Sequence, residues 1–255
     1  QIAHALREAG CQPGDTIALF AENSPRYFEV CWAAQRSGLY FVCISSRLTT
    51  PEVQYIIEDS GSKLLIADAH KSAVAQDVKS VTKLDHYWSI DGDIPGFTAL
   101  ETLQSKFPVT PIPDEMAGTD MLYSSGTTGR PKGIRPPLER NLPIDADNVL
   151  IQICRGLAGV TEDSIYLSPA PLYHAAPLRW SMTMTRLGAS LVIMEKFDPE
   201  NYLRLVEKYR VTHSQLVPTM FVKMLKLPPE VREKYDVSSL QFAIHAAAPC
   251  PIPIK

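Results

Sequence analysis

Residues 120–134, DMLYSSGTTGRPKGI, gather the side chains of this chain that are best suited to binding phosphate. Glycines let the backbone adopt positive φ and approach a ligand closely, so successive N–H groups can converge on an anion. Hydroxyls add donors, and Lys132 adds a positive charge on a flexible stem. Such a loop can bind a polyphosphate and stabilise the charge that develops on it. The hydroxyl and glycine positions are Ser124, Ser125, Thr127, Thr128, Gly126, Gly129 and Gly133.

Three familiar phosphate-binding or nucleophile motifs do not fit this spacing. A Walker loop has the pattern G-x-x-x-x-G-K-[ST], whereas this segment has G-x-x-G-x-x-K-G. A dinucleotide fingerprint requires G-x-G, which occurs nowhere in the chain. A nucleophile elbow requires glycine two residues before the serine, and neither Ser124 nor Ser125 has one. A Gly/Ser/Thr segment is ordinarily a flexible surface loop, but the order of Pro131 and Lys132 after an apolar strand favours phosphate binding.

The elements that must position this loop alternate between strand and helix patterns, which predicts an α/β fold with parallel βαβ units. Helix starts are predicted at Ser24-Pro25, at Thr50-Pro51 and at Asp198-Pro199, where a capping residue precedes proline. Residues 91–118 are rich in Pro and Gly and lack periodicity, which predicts a linking region. The predicted strands are DTIALFA, LYFVCI, KLLIAD, the run before the serine–threonine loop and ASLVIM, and VTHSQLVPTM and LQFAIHAAAP are predicted as further strands that run out into loops.

Composition excludes several classes of function. The 255 residues are 45% hydrophobic and 21% charged, with a net charge of -3, which is typical of a globular protein and does not favour nucleic-acid binding. The five cysteines are scattered without a C-x-x-C pair, so we expect free thiols rather than a zinc site or a disulfide framework. Without a visible secretory signal or a long apolar run, a cytoplasmic protein without a transmembrane segment is expected.

The segment YSSGTTGRPKG resembles the AMP-binding signature of the adenylate-forming superfamily. This superfamily includes acyl-CoA synthetases, aryl-CoA ligases, luciferases and the adenylation domains of nonribosomal peptide synthetases. The segments GDTIALFAENSPRYFEV, PLYHAAPL, EKFDPE, VTHSQLVPTM and HAAAPC resemble other blocks of the family. The likeness covers nearly the whole chain and is nearest to fatty-acyl and aryl-CoA ligases. It implies that residues 1–255 are part of the large N-terminal AMP-binding domain, with stacked, largely parallel sheets flanked by helices and with the C-terminal lid domain absent.

The resemblance implies a two-step ligation of a small carboxylic acid. The carboxylate attacks the α-phosphate of ATP, pyrophosphate leaves, and coenzyme A then takes the acyl group and releases AMP. Mg²⁺ would share the charge of the phosphates, and no metal-ligating side chain is assigned. The implied contacts to the β- and γ-phosphates are Ser124, Ser125, Gly126, Thr127, Thr128, Gly129 and Lys132, and Lys132 and Thr128 are assigned to catalysis.

The resemblance gives further roles to residues that would otherwise look structural. A lone histidine beside apolar residues usually belongs to the fold, but His174 matches the residue that lines the acyl site of CoA ligases near the reacting carboxylate, and it is the third residue assigned to catalysis. Ala246, Ala247 and Ala248 match the block that passes the adenine and the acyl group, the alternative being a strand end with small core residues. Lys196 matches a position that meets the phosphates of coenzyme A, although a solvated lysine before a helix is an equal interpretation. His213 is expected to be a core residue.

Two departures from the family pattern affect the predicted activity. After Gly133 the segment IRPPLERNLPIDADN contains three prolines, which predicts an extended loop where the family has a helix, and this would alter the entrance to the site. The acidic Y-G-x-T-E block, the ribose-binding aspartate and the domain with the catalytic lysine have no match. Both ends look cut, so we expect a piece of a longer protein that is nearly inactive alone.

Two other functions stay open at this stage. One is an adenylation domain that loads a carrier protein, and the other is a non-catalytic nucleotide-binding fragment that kept the fold. A mononucleotide kinase is disfavoured by the glycine spacing. The sequence does not determine the carboxylic acid, the oligomeric state or a loose membrane association.

Overall fold

The computed structural model describes residues 1–124, 130–245 and 248–254. The chain divides into two compact units, Gln1–Ala146 and Asp147–Lys255. Each unit contains a sheet whose strands all pair in parallel, with helices in most of the connections between successive strands. The predicted α/β class with largely parallel sheets is therefore confirmed.

The first unit is built on a six-stranded parallel sheet with the order β5-β4-β3-β1-β2-β6. All residues of β1 and β2 are buried, as expected for inner strands of a parallel sheet that is covered on both faces. Strands β1 to β6 are Thr16–Phe20, Tyr40–Ile44, Ser62–Asp68, His86–Ile90, Thr98–Ala99 and Thr119–Asp120. Helices α1 to α5 are Ile2–Glu8, Pro25–Arg36, Thr50–Ser60, Ser72–Val81 and Leu100–Gln104.

A separate antiparallel pair completes the first unit. Strands β7, Leu122–Ser124, and β8, Lys132–Ile134, pair with each other and not with the six-stranded sheet. The proline-rich residues 135–148 that follow contain no helix or strand. This confirms the predicted extended loop.

The second unit is built on a four-stranded parallel sheet with the order β10-β9-β11-β12. Its outer strand β12 is partly exposed along its whole length, whereas β11 is fully buried. Strands β9 to β12 are Ile165–Ser168, Ser190–Ile193, His213–Leu216 and Phe242–His245. Helices α6 to α10 are Val149–Gly156, Ala175–Arg186, Pro199–Tyr209, Pro218–Leu225 and Pro229–Arg232.

Two of the three predicted helix starts, at Ser24 and Asp198, are correct in place, and the three differ in their chemistry. The Asp198 side chain accepts a hydrogen bond from the N–H of Asn201 at 2.8 Å, which stabilises α8 by about 1 kcal/mol. Ser24 precedes α2, but its hydroxyl donates to Asp91 instead of capping the helix. The predicted cap at Thr50 is wrong by one residue, because Thr49 precedes α3 and its N–H donates to the Glu52 carboxylate at 2.8 Å.

The prediction of a linking region over residues 91–118 is wrong for its central part. Strand β5 and helix α5 lie within it, and β5 extends the sheet by pairing with β4. Two strand residues and five helical residues are too short to give a periodic pattern, because a helix must complete more than one turn before its apolar face repeats. Helix α4 and strand β4 were not predicted from the sequence either.

The five cysteines are free thiols, and four of them are buried. The nearest pair is Cys31 and Cys43, with 3.9 Å between the two sulfur atoms. Burial raises the pKa of the Cys11 thiol and of the Cys154 thiol to about 11. Among the described residues, no helix has both the length and the apolar character needed to cross a bilayer.

Gly118 provides a test of how tightly β6 is joined to β2. A methyl group at this position would meet the carbonyl oxygen of Leu39 and lie 2.7 Å from its nitrogen, and backbone atoms cannot rotate away. We expect Gly118→Ala to lower the free energy of unfolding by about 1–3 kcal/mol or more, measured by chemical denaturation. At Gly156 an added methyl meets no atom within 4 Å, so Gly156→Ala should cost no stability. Equal losses for the two variants would contradict this packing.

Candidate functional site

The described residues on either side of the serine–threonine loop form the two strands of a hairpin. Strand β7 leads into the loop and β8 leads out of it, and Ser124 lies directly opposite Lys132 in the pair. Both residues are exposed. The hydroxyl and the ammonium group predicted to contact phosphate are therefore neighbours across two short strands.

The hairpin begins where the chain leaves the first sheet. Asp120, the last residue of β6, pairs with Phe41 of β2, and the N–H of Met121 still donates to the Phe41 carbonyl at 3.0 Å. From Leu122 onward the partner is β8 instead. The loop is thus carried on two strands of three residues each, which are too short to be stable without further contacts.

Helix α3 supplies those contacts on both sides of the hairpin. The Tyr123 hydroxyl, next to Ser124, donates to the Asp59 carboxylate at 2.6 Å. The Tyr55 hydroxyl donates to the carbonyl oxygen of Pro131, next to Lys132, at 3.2 Å. Tyr55 and Asp59 are four residues apart and lie on one face of the helix. We call Tyr55, Asp59, Tyr123 and Pro131 the hairpin base.

Close packing inside the hairpin explains why position 133 is a glycine. Gly133 lies opposite Tyr123, and a methyl group there would lie 2.8 Å from the Tyr123 ring and 2.7 Å from the Met121 side chain. Real side chains do not approach so closely. Glycine at this position lets the Tyr123 ring lie across β8 and reach Asp59.

The environment of Tyr123 changes its acidity. Burial raises the pKa of the Tyr123 hydroxyl well above its ordinary value, and the hydrogen bond to the Asp59 carboxylate raises it further. Both effects favour the protonated form, because the neutral hydroxyl can donate to a carboxylate and a phenolate cannot. Tyr123 therefore acts as a hydrogen-bond donor over the whole physiological pH range.

In the second unit, three of the predicted site residues follow the carboxyl ends of parallel strands. His174 comes after β9, Lys196 after β10 and Ala248 after β12. The carboxyl ends of parallel strands meet at one edge of a sheet, and α/β proteins commonly bind ligands at that edge. All three residues are exposed, so their side chains are accessible to a ligand in this unit.

The connection from β9 to α7 fixes the place of His174. Ala170 and Leu172 are buried, and the Ser181 hydroxyl of α7 donates to the Ser168 hydroxyl at 3.1 Å. Buried anchors on both sides leave His174 at the surface, as the residue that precedes α7, with its ring 4.4 Å from the ring of Tyr173.

The structure decides between the interpretations of His213 but not between those of Lys196. Lys196 is exposed, two residues before the residue that caps α8, and this position agrees with both interpretations given above. His213 is fully buried, and its ring nitrogens lie 2.8 Å from the Ala158 carbonyl oxygen and 2.7 Å from the Thr212 hydroxyl. The prediction that His213 belongs to the core is confirmed.

Seven of the predicted site residues lie outside the described residues, and their roles stay predictions. They are Ser125, Gly126, Thr127, Thr128, Gly129, Ala246 and Ala247. Within the described ranges no group of three His, Cys, Asp or Glu side chains is arranged to hold a metal ion.

The sequence interpretation missed the hairpin base. Tyr123 gave a signal, because an aromatic residue stands directly before the serines. Asp59 gave none, since an acidic residue near a helix end is ordinarily solvated, and its partner is 64 positions away in the chain.

Comparison with known proteins identifies the family. The model of the family described as AMP-binding enzyme matches residues 1–255. The chain belongs to this family. The resemblance drawn from YSSGTTGRPKG is thereby confirmed, and so is the likeness to acyl-CoA and aryl-CoA ligases.

Relatives and solved structures agree with this assignment. The chain is 32% identical to a feruloyl-CoA synthase from Amycolatopsis sp, over 98% of this chain and 48% of the relative. It is 31% identical to acyl-CoA synthetase 7 from Caenorhabditis elegans, over 98% and 48%. The inhibitor-bound N-terminal domain of FACL13 from Mycobacterium tuberculosis superposes with a TM-score of 0.83 at 25% identity, over 99% of this chain and 61% of that one. The chain spans about half the length of the curated relatives it matches.

The raised pKa of Tyr123 predicts a missing step in an alkaline titration. An ordinary tyrosine ionises near pH 10, whereas Tyr123 should stay protonated there. A group whose pKa is raised on folding contributes stability that is present below its ordinary pKa and is lost as the pH rises through the pKa of the folded state. We therefore expect wild type and Tyr123→Phe to develop equal tyrosinate absorbance between about pH 9 and 11 while folded. In guanidinium chloride the tyrosinate absorbance of the unfolded wild type should exceed that of the variant by the contribution of one tyrosine. A difference of that size in the folded proteins would contradict the prediction.

Proposed function

We propose that the full-length protein is an ATP-dependent acyl-CoA synthetase. It would activate a small carboxylic acid as an acyl-adenylate with release of pyrophosphate and then transfer the acyl group to coenzyme A. The observation that carries this proposal is the hairpin that places Lys132 opposite Ser124 in a chain of the AMP-binding enzyme family. The names of the relatives, a feruloyl-CoA synthase and an acyl-CoA synthetase, favour coenzyme A as the acceptor.

The first step is a displacement at the α-phosphorus, so the protein contributes positioning and charge neutralisation. The exposed ammonium group of Lys132 suits the charge that builds on the departing pyrophosphate. The Ser124 hydroxyl, across the hairpin, suits a phosphate oxygen as a hydrogen-bond donor. Ser125, Gly126, Thr127, Thr128 and Gly129 would continue the same cradle, with Thr128 assisting the reaction.

The bound nucleotide would bring Mg²⁺ with it. Mg²⁺ prefers oxygen ligands and usually keeps several waters, so phosphate oxygens supply most of its coordination. The hydroxyls of the hairpin fit this chemistry because they add neutral oxygen near the phosphates. When bound, the ion neutralises charge on the transferring and leaving groups.

In the second step the acyl group passes from AMP to a thiol. His174 would line the acyl site, with the small residues Ala175 and Ala176 beside it leaving room for the acid. Lys196 would meet the phosphates of coenzyme A as a flexible point charge. Ala246, Ala247 and Ala248 would allow the flat adenine ring to approach the backbone. A cytoplasmic location, a place in fatty acid metabolism and low activity of the isolated chain belong to the same proposal.

Carboxylate-dependent exchange of pyrophosphate into ATP tests the proposed function directly. We would measure it on this chain and on its full-length parent with fatty, aromatic and polycyclic acids, and then supply coenzyme A or a carrier protein to the active acid. Exchange in the parent followed by thioester formation with coenzyme A would support the proposal. Exchange followed by acyl transfer only to the carrier protein would mean that the acceptor of the second step is a carrier protein and not coenzyme A. Absence of exchange with every acid in a parent that binds ATP would overturn the proposal.

Lys132 gives the sharpest mutational prediction. In the full-length parent, Lys132→Ala should lower the rate of pyrophosphate exchange on the order of 100-fold, because a cation facing the developing charge is lost. Its exposure predicts little change in the thermal unfolding temperature. Lys106→Ala, which removes an exposed lysine from the same unit, is the matched control. Similar exchange rates for the two variants would refute the role assigned to Lys132.

A further inference from the structure

The hairpin base joins both sides of the phosphate-binding loop to one helix. Tyr123 adjoins Ser124 on the entering side, and Pro131 adjoins Lys132 on the leaving side. The two hydrogen bonds, 2.6 Å from Tyr123 to Asp59 and 3.2 Å from Tyr55 to Pro131, both end on α3. A rotation of the loop about either strand would break one of them.

Tyr55 makes a second contact on the leaving side. The Arg130 guanidinium lies over the Tyr55 ring, 5.2 Å from its centre. The ring therefore holds a cation while its hydroxyl holds the neighbouring carbonyl group. This side of the loop has two contacts with Tyr55 of α3, and on the entering side the hydrogen bond from Tyr123 to Asp59 joins β7 to the same helix.

Helix stability alone does not explain an acidic residue at position 59. Asp59 is the penultimate residue of α3, which ends at Ser60, and the carboxyl end of a helix carries partial negative charge. Glu58 is acidic as well, and the last turn contains no basic residue. A carboxylate here is locally unfavourable, and it becomes favourable through the hydrogen bond that it accepts from Tyr123.

We propose that Asp59 and Tyr123 are positioning residues for the ATP-dependent step, because their hydrogen bond fixes where Ser124 and Lys132 lie relative to the phosphates. This inference rests on the proposed function, since it assumes that the hairpin binds the polyphosphate of ATP. Neither side chain is required to touch the nucleotide. Placement errors of about 1 Å can lower the rate of a positioned reaction roughly 100-fold, so an indirect contact of this kind has a measurable effect.

The variants separate the hydroxyl, the acceptor and the packing. Tyr123→Phe keeps the ring beside Gly133 and loses only the hydroxyl. Asp59→Ala removes the acceptor of Tyr123 and also a carboxylate oxygen that lies 3.5 Å from the Tyr55 hydroxyl. Asp59→Asn keeps an oxygen that can accept the bond. Tyr87→Phe is the matched control, because the Tyr87 hydroxyl also donates to an acceptor in the first unit, the Thr82 carbonyl at 3.0 Å, away from the hairpin.

The measurements use the full-length parent. Tyr123→Phe and Asp59→Ala should each raise the KM for ATP in pyrophosphate exchange and the Kd for MgATP roughly tenfold, with the KM for the carboxylic acid within about twofold of wild type. The KM for ATP and the Kd for MgATP of the double variant should not exceed those of the more impaired single variant, because both substitutions remove the same hydrogen bond. Asp59→Asn should recover most of the loss, and Tyr87→Phe should resemble wild type.

Three results would overturn the inference. They are a Tyr123→Phe variant that matches Tyr87→Phe, single effects that multiply in the double variant, and an Asp59→Asn variant as weak as Asp59→Ala. If Tyr123→Phe does not fold, the two substitutions at the exposed Asp59 still decide the question. If the parent binds MgATP but catalyses no exchange, the proposed function fails, and the Kd values alone judge the positioning role. A parent that does not bind MgATP overturns both proposals.

Discussion

Parallel pairing constrains the connections within both parallel sheets, because the polypeptide must return along the sheet before it can begin the next strand. In both units helices occupy most of these returns, and the loops that follow the strands collect at one edge. Residues far apart in sequence, such as His174, Lys196 and Ala248, reach the same edge of the second sheet for this reason. The strands contribute little chemistry themselves. Inner strands such as β1 and β2 are buried, and their value is that they fix where each loop starts.

The hairpin of the candidate site is the exception, since its strands β7 and β8 pair with each other outside either sheet. Two strands of three residues cannot hold a geometry by backbone hydrogen bonding alone. Side chains from α3 supply what the sheet does not, with a carboxylate and a tyrosine hydroxyl on one helical face reaching the two sides of the hairpin. The space that Gly133 leaves open is part of the same arrangement, because it admits the Tyr123 ring. The described ends of this loop are thus held by side chains of α3.

The sequence predicted the elements whose patterns are local and long enough to repeat. The strands around Leu65, Val42 and Val192 were predicted because their apolar runs are bounded by turns, and α8 because Asp198 and Pro199 mark its start. The sequence did not predict β5 and α5, which are too short for a pattern to repeat. The loop of the candidate site was found from its composition, since glycine, hydroxyl and lysine at fixed spacing have a chemical meaning of their own. The contact between Asp59 and Tyr123 could not be found in this way, because it depends on the tertiary placement of α3 against β7.

The outer position of β12 has a consequence for handling the isolated chain. Within the described residues β12 pairs only with β11, so its other side presents backbone donors and acceptors in an extended row. Its side chains alternate between partly buried and exposed, and neither proline nor lysine interrupts them. An edge of this kind is a template for further strand addition. A second copy of the chain offers the same strand, so self-association through β12 competes with solubility as the protein concentration rises.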